Sequence, residues 1–344
     1  MSTTPGYFDE TILQDIRVKA AEIAFDDRLK KRFIPHIKVL DVIQQLQTAR
    51  VEPLPLKYKE ADLEVTWLNV CGNEVEEDEN CELGGEEASS NLETYSISWN
   101  RAYKFSVDEV QFIDNDYDRD EAVAIQFLNA DKALSEAFAQ YAVGRLEAFK
   151  GVNCVTDPAT YTVSGHDTFI PPAYWDADLI AYMQRVSVMN QFTDPVILSG
   201  VNLYDPAIIA AFNAGNADGK GDSMKYDALD IQWDLWNIES VNGTENKRTY
   251  LISQGAMAMG SRNYAPPEYD DVKNTFVRYR LPSNHTPFTY DVYYSAECSS
   301  RKNLIKHNFK LVLHADIFNN PTTCLDCGGE TNTGILAFTC GSGS

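Results

Sequence analysis

The apolar positions of this chain change period several times, and each change predicts an element. Over residues 12–33, Ile12, Ile16, Ala20 and Ile23 recur at helical spacing, and the stretch closes on a basic cluster, Arg28, Lys30, Lys31 and Arg32, ahead of Pro35. Two readings stay open for it: an amphipathic helix packed on its own domain, or an arm lying on an acidic neighbour. From Leu63 the period drops to two. Leu63, Val65 and Trp67 face one way and Glu64, Thr66 and Leu68 the other, and Tyr95, Ile97 and Trp99 repeat the alternation. Two strands are predicted, joined by a connection too long for a tight turn.

Over 118–149 the stripe Val123, Phe127, Ala130, Leu134, Ala137, Phe138 and Tyr141 predicts one long helix, with Gly151 just beyond its end. At 1.5 Å per residue it is roughly 48 Å long. Ile125, Leu128 and Leu146 lie off that stripe and predict a second covered face. Shorter elements follow: helices over 176–192 and 205–214, a Gly-rich connection over 215–223, and strands over 195–198, 230–238, 249–253, 274–281, 290–297 and 310–318. Gly341 to Ser344 reads as a flexible end. The outcome is a mixed α+β chain with one long hairpin and one long helix.

Charge sharpens this outline. Between Glu74 and Glu87 the hairpin connection holds eight acids and no base, Glu76, Glu77, Asp78 and Glu79 among them. Mutual repulsion keeps such a tip extended unless a partner surface holds it, the alternative being a solvated loop with no partner. The whole chain of 344 residues carries 29 Lys and Arg against 51 Asp and Glu, a net charge of −22. An average surface of that sign repels phosphate backbones and anionic membranes, which argues against nucleic-acid binding as the main task. A hydrophobic fraction of 44% with 18 Tyr and 16 Phe is that of a folded protein. No basic and then apolar leader opens the sequence, and no apolar run approaches the roughly 20 residues of a bilayer crossing, so a soluble chain made in a cytoplasm is expected.

Catalytic signatures are missing. Neither a dinucleotide fingerprint nor a P-loop occurs, and Gly215 to Asp222 reads as a turn. The five histidines sit in no hydrolase or zinc-protease context. The acidic run Asp114, Asp116, Asp118, Asp120 and Glu121 suits a helix start; as a calcium loop it fails, because Arg119 and Ile125 stand where a glycine and a bidentate acid are needed. No catalytic residue and no cofactor is expected. Seven cysteines, an odd number spread over a long chain, fit reduced thiols. Cys324 and Cys327 have the spacing of a zinc knuckle, with Cys340 as a candidate third ligand and no fourth specified; ordinary thiols or one late disulfide are the alternatives.

The order of parts, an arm, a long charged hairpin, a very long helix and a mixed lobe, resembles the major capsid proteins of tailed bacteriophages with the Hong Kong 97-like fold, most of all those of phages of Bacteroidetes-type hosts. The stretches that carry the likeness are Trp99-Asn-Arg-Ala-Tyr-Lys-Phe105, Val123-Ala-Ile-Gln-Phe-Leu-Asn129, Asp194-Pro-Val-Ile-Leu-Ser-Gly200, Thr249-Tyr-Leu-Ile-Ser-Gln-Gly-Ala256 and Ala315-Asp-Ile-Phe-Asn-Asn-Pro321.

The resemblance implies an N-arm over 1–35, a lead into the peripheral domain over 36–54, an extended E-loop over 55–105, and a peripheral domain over 106–194 with spine helix 118–149. An axial domain over 195–285, returning peripheral strands over 286–325 and a cysteine-containing tail over 326–344 complete it. It implies a non-enzymatic late structural protein of the virion head, made in the host cytoplasm, whose copies form hexamers and pentamers of an icosahedral shell around double-stranded DNA, with a separate scaffolding protein and a portal. Trp67 and Trp99 are then expected to be buried by neighbours, and Arg28, Lys30, Lys31 and Arg32 to pair with the acidic tips of adjacent copies. An encapsulin shell, a zinc-binding protein and a glycan-binding module are the alternatives.

Overall fold

The computed structural model describes residues 18–20, 30–56, 61–68, 90–112, 119–154, 161–175, 177–204, 223–226, 229–243, 247–266, 270–272, 276–298, 304–321 and 332–341. Within them, one long helix packs against a six-stranded sheet, with a seven-stranded sheet and a three-stranded ribbon as the other two sheets. The first elements are helix α1 (Lys38–Leu46) and strands β1 (Arg50–Pro53), β2 (Leu63–Leu68), β3 (Ser90–Tyr95) and β4 (Trp99–Asp108). Helix α2 (Arg119–Phe149) leads to β5 (Thr162–Ser164), β6 (Asp167–Ile170), α3 (Ala177–Met189), β7 (Val196–Ser199), β8 (Ser223–Tyr226) and β9 (Leu229–Trp233). Helix α4 (Leu235–Asn242) precedes β10 (Arg248–Ile252), β11 (Met257–Ser261), β12 (Asp270–Val272), β13 (Phe276–Pro282), β14 (Thr289–Cys298), β15 (Ile305–Asn319) and β16 (Ile335–Cys340).

Helix α2 forms where its periodicity predicted. Asp120 and Glu121 in its first turn favour the positive end of the helix dipole. Its buried positions include Val123, Phe127, Leu134 and Phe138 of the predicted stripe, and also Leu128, Ala142 and Leu146. They sweep well over half the circumference, so the second covered face is real. One side interlocks with the six-stranded sheet through rings: Phe127 meets Phe105 and Phe309 edge-on, with centroids 5.4 and 5.3 Å away, and Phe138 meets Trp99 at 5.0 Å.

That sheet has the order β11-β15-β14-β13-β12, with β4 on the other edge of β15. Ala315 pairs with both Trp99 of β4 and Ser261 of β11, so β11 continues the edge that β14 leaves. A seven-stranded sheet, β5-β6-β16-β10-β7-β9-β8, has its own core with α3, built from Leu179, Met183, Val186, Ile197, Leu251 and Phe338. The third sheet is the ribbon β1-β2-β3. The division expected between residues 285 and 286 falls in the β13–β14 hairpin, so the six-stranded sheet draws on both sides of it.

Three expected elements differ. Tyr95, Ile97 and Trp99 do not share a strand, because the chain changes sheets between β3 and β4. There the amides of Ile97 and Ser98 donate to the carboxylates of Asp62 and Asp316, at 3.0 and 2.8 Å, instead of to a ladder. The strand expected over 230–238 stops at Trp233, since the Asp234 carboxylate accepts from the Asn237 amide at 3.1 Å and starts α4. The expected C-terminal tail holds β16, which lies inside the seven-stranded sheet, antiparallel to β10 and parallel to β6. The expected helix over 205–214 lies outside the described residues.

Candidate assembly surfaces

The ribbon is fastened on one face only. Leu63, Val65 and Trp67 of β2 cluster with Ala49, Ala258 and Phe318, burying the face that the alternation marked as apolar. Gly260 on β11 makes the approach: a Cβ there would stand 2.5 Å from Cγ1 of Val51 and 3.0 Å from Cδ1 of Leu63. At the ribbon's base the Asp62 carboxylate accepts from the Arg262 guanidinium at 2.6 Å, the Tyr264 hydroxyl at 2.7 Å and the Ile97 amide at 3.0 Å. Burial pushes Asp62 up, but the hydroxyl, amide and guanidinium outweigh it and hold the carboxyl below its ordinary value. Burial and that carboxylate push the Tyr264 phenol up to about 12. Arg262, almost wholly buried, thus clamps the ribbon to the end of β11.

The ribbon's other face is open. Thr66 stands opposite Leu92 and Leu68 opposite Ser90, which brings Leu68 and Leu92 onto one outward patch, 56% and 57% exposed. The signal was present in the sequence, since Leu68 is an apolar residue on the polar side of an alternating strand. A second apolar surface lies at α4, where Leu235, Trp236 and Val241 are exposed. The His36 ring stacks on Trp236 at 5.2 Å beside a cleft of about 750 Å³ that Ile34, Lys38 and His285 also line. Asp234 holds both neighbouring helix starts there, accepting from the Val39 amide at 2.9 Å as well as from Asn237.

Two expected interface residues are corrected. Trp67 and Trp99 are 0% and 5% exposed within a single copy, so neither needs a neighbour to bury it. Trp67 fills the ribbon's inner face, and Trp99 packs against Phe138 and Tyr141 of α2. The side chains of Lys31 and Arg32 are exposed, and the Arg32 carbonyl accepts from Lys132 at 2.9 Å. Lys30 opens the helical turn Lys30–Phe33. Arg28, Glu76, Glu77, Asp78 and Glu79 lie outside the described residues, as do Cys324 and Cys327.

The buried polar groups brace the frame. Asp131 of α2 accepts from Ser283 Oγ at 2.6 Å, Tyr290 at 2.7 Å and the Asn284 amide at 2.9 Å, tying the helix to the β13–β14 turn. Asp316 of β15 accepts from Tyr141 and Ser98 hydroxyls, each at 2.6 Å. Cys340, half-buried in β16, has a free thiol, whereas Cys154 is in a disulfide, which corrects the reduced-thiol reading at that position. Among the described residues no three His, Cys, Asp or Glu side chains converge as a metal site, and no helix is long and apolar enough to cross a membrane.

Among solved structures, the chain is similar to phage capsid subunits. The capsid of Cyanophage P-SCSP1u aligns with a TM-score of 0.49 and 10% identity over 87% of each chain. A chain of Mycobacterium phage Che8 aligns at 0.43 and 12% identity, over 80% of this chain and 84% of that one. The holo-SrpI encapsulin complex from Synechococcus elongatus aligns at 0.37 and 10% identity, over 72% and 75%. No protein-family model and no curated protein matches the sequence.

Proposed function

We propose that this chain is a shell-forming major capsid protein with the Hong Kong 97-like fold, acting as a structural subunit of a phage head around DNA. In this reading α2 is the spine of a peripheral domain with the six-stranded sheet, the axial domain expected over 195–285 is redrawn as the seven-stranded sheet with α3, and the ribbon is the base of the extended loop. Scaffolding and portal proteins, and the pairing of Arg28, Lys30, Lys31 and Arg32 with acidic tips of adjacent copies, belong to the same reading.

The observation that carries it is the pair of unlike apolar surfaces left open on one copy, Leu68 with Leu92 on the ribbon and Leu235 with Trp236 at α4. Two different patches on identical chains join head to tail, and such contacts close into rings or extend into lattices rather than stopping at a dimer. Full burial of each large apolar side chain contributes roughly 1.5–3 kcal/mol, so a few per copy hold a shell of many copies.

The test is electron microscopy of the purified full-length chain, alone and co-expressed with the gene products encoded beside it. Closed shells are expected, and Leu92→Ser combined with Trp236→Ser is expected to leave the subunit folded by circular dichroism while removing most shells. Monodisperse monomers of the wild-type chain under every assembly condition would end the proposal. Shells that package an enzyme in place of DNA would move it to the encapsulin alternative.

A further inference from the structure

We propose that His307 is an acid-opened latch: while neutral it ties the turn Glu109–Phe112 and the start of α2 to strands β14 and β15, and on taking up a proton it releases that end of the sheet. His307 lies in β15, 0% exposed, across from Val107 of β4 and Ala296 of β14. Both ring nitrogens are engaged. Nε2 stands 3.1 Å from the Glu109 carboxylate and Nδ1 3.0 Å from the Tyr294 hydroxyl. An ionised carboxylate only accepts, so Nε2 carries the hydrogen and Nδ1 accepts from Tyr294. The ring therefore fits its site as the neutral Nε2–H tautomer. A proton on Nδ1 puts a second donor against that hydroxyl and breaks the bond as built.

Glu109 passes the hold onward. It accepts from the Ile305 amide at 3.2 Å, at the first residue of β15, and from the Arg119 guanidinium at 3.1 Å, at the first residue of α2. Arg119 also meets Asp120 at 2.9 Å, and Lys19 lies 4.0 Å from Asp120. Among the described residues the cluster sets Glu109 and Asp120 against Arg119 and Lys19, a balance that holds only while His307 is uncharged. The next residue along, Lys306, has Asp108 and Glu297 opposite it and points to the other face of the sheet. Burial opposes protonation of His307 more strongly than Glu109 favours it, so its folded pKa lies below the ordinary value. Burial raises Glu109, but the donors His307, Ile305 and Arg119 outweigh it and keep the carboxyl ionised where histidines titrate. The neutral ring's contribution is therefore full above the unfolded histidine pKa of about 6.5 and is lost as pH falls toward the lower folded value. Opening this end exposes the ring, so opening takes up a proton and acid favours it.

The experiment is hydrogen exchange read by mass spectrometry on the full-length chain from pH 8 to 5, corrected for the pH dependence of unprotected amides. Segments 109–112 and 305–309 are expected to open more readily at pH 5 by a factor between about 5 and 30, the ceiling set by the unfolded pKa, while 249–252 of the seven-stranded sheet stays level. His307→Gln keeps a donor for Glu109 but cannot titrate, and is expected to flatten the response. His314, further along β15 and 3.9 Å from Asp291, is the other histidine of the strand, and the same variant separates the two. Ring nitrogen-15 NMR of the wild-type chain with labelled histidine needs no variant: one of the five rings is expected in the neutral Nε2–H form, charging well below about 6.5. No rise in opening at 109–112 and 305–309, an equal rise in His307→Gln, or five rings that all charge near about 6.5 would overturn the latch.

Discussion

Helix α2 and the ribbon both pack on the six-stranded sheet, but by different means. The helix is enclosed over most of its surface, its rings interlock with those of β4 and β15, and its polar attachment points, Asp131 and Asp316, are 4% and 2% exposed. The ribbon touches the body through the side chains of one face, the Tyr95 ring stacked on Phe318, the Gly260 contact and the Asp62 clamp, and presents leucines outward on its other side. The helix and sheet therefore behave as one body, whereas the ribbon is a flap held along one face. Local opening should follow that division, with ribbon amides exchanging by a cheaper route than those of α2.

The largest expected effect comes from breaking the enclosed side. Phe138 is fully buried between Trp99 and Phe288, with centroids 5.0 and 5.3 Å away. Phe138→Ala is expected to lower global stability by about 3–5 kcal/mol, read from urea unfolding. A loss below about 1 kcal/mol would mean that this side of the helix is not tightly enclosed.

A smaller effect is expected where the ribbon meets β11. Gly260→Val forces a branched side chain against Val51 and Leu63, which must give way along the ribbon. Overpacking of this kind costs about 1–3 kcal/mol. It should appear mainly as lost hydrogen-exchange protection in β2 and β3 with α2 unchanged. Equal losses in both regions would contradict that division.

The same division decides what was legible in the sequence. Helix α2 and strand β2 each repeat one period long enough to be read, and both were found within a residue of their observed bounds. Elements governed by distant partners were not. The break after Tyr95 depends on carboxylates at Asp62 and Asp316, one of them more than 200 positions away, that capture the amides of Ile97 and Ser98. Strand β16, only six residues between Gly334 and Gly341, becomes interior through pairing with β10 and β6. For the interface, the acidic tip stood out by composition alone. The burial of Trp67 and Trp99 at home did not, because alternation says which face is covered and never by whom.

The smallest effect isolates the clamp itself. Asp62→Asn removes the charge that Arg262 and Tyr264 address but keeps the side chain's shape, and is expected to lower the ribbon's opening free energy by about 1–2 kcal/mol with global unfolding nearly unchanged. The pH dependence has a definite sign. The Asp62 carboxyl is held below its ordinary value in the folded chain, so its contribution is fully present above the unfolded carboxylate pKa of about 3.9 and is lost as pH falls through the lower folded value. Ribbon protection should therefore be flat from neutral pH down to about 4 and then decline in the wild type. In Asp62→Asn it should start lower and lack that component of the decline. A wild-type ribbon that loosens already between pH 7 and 5 would show that some group other than this carboxylate holds the base.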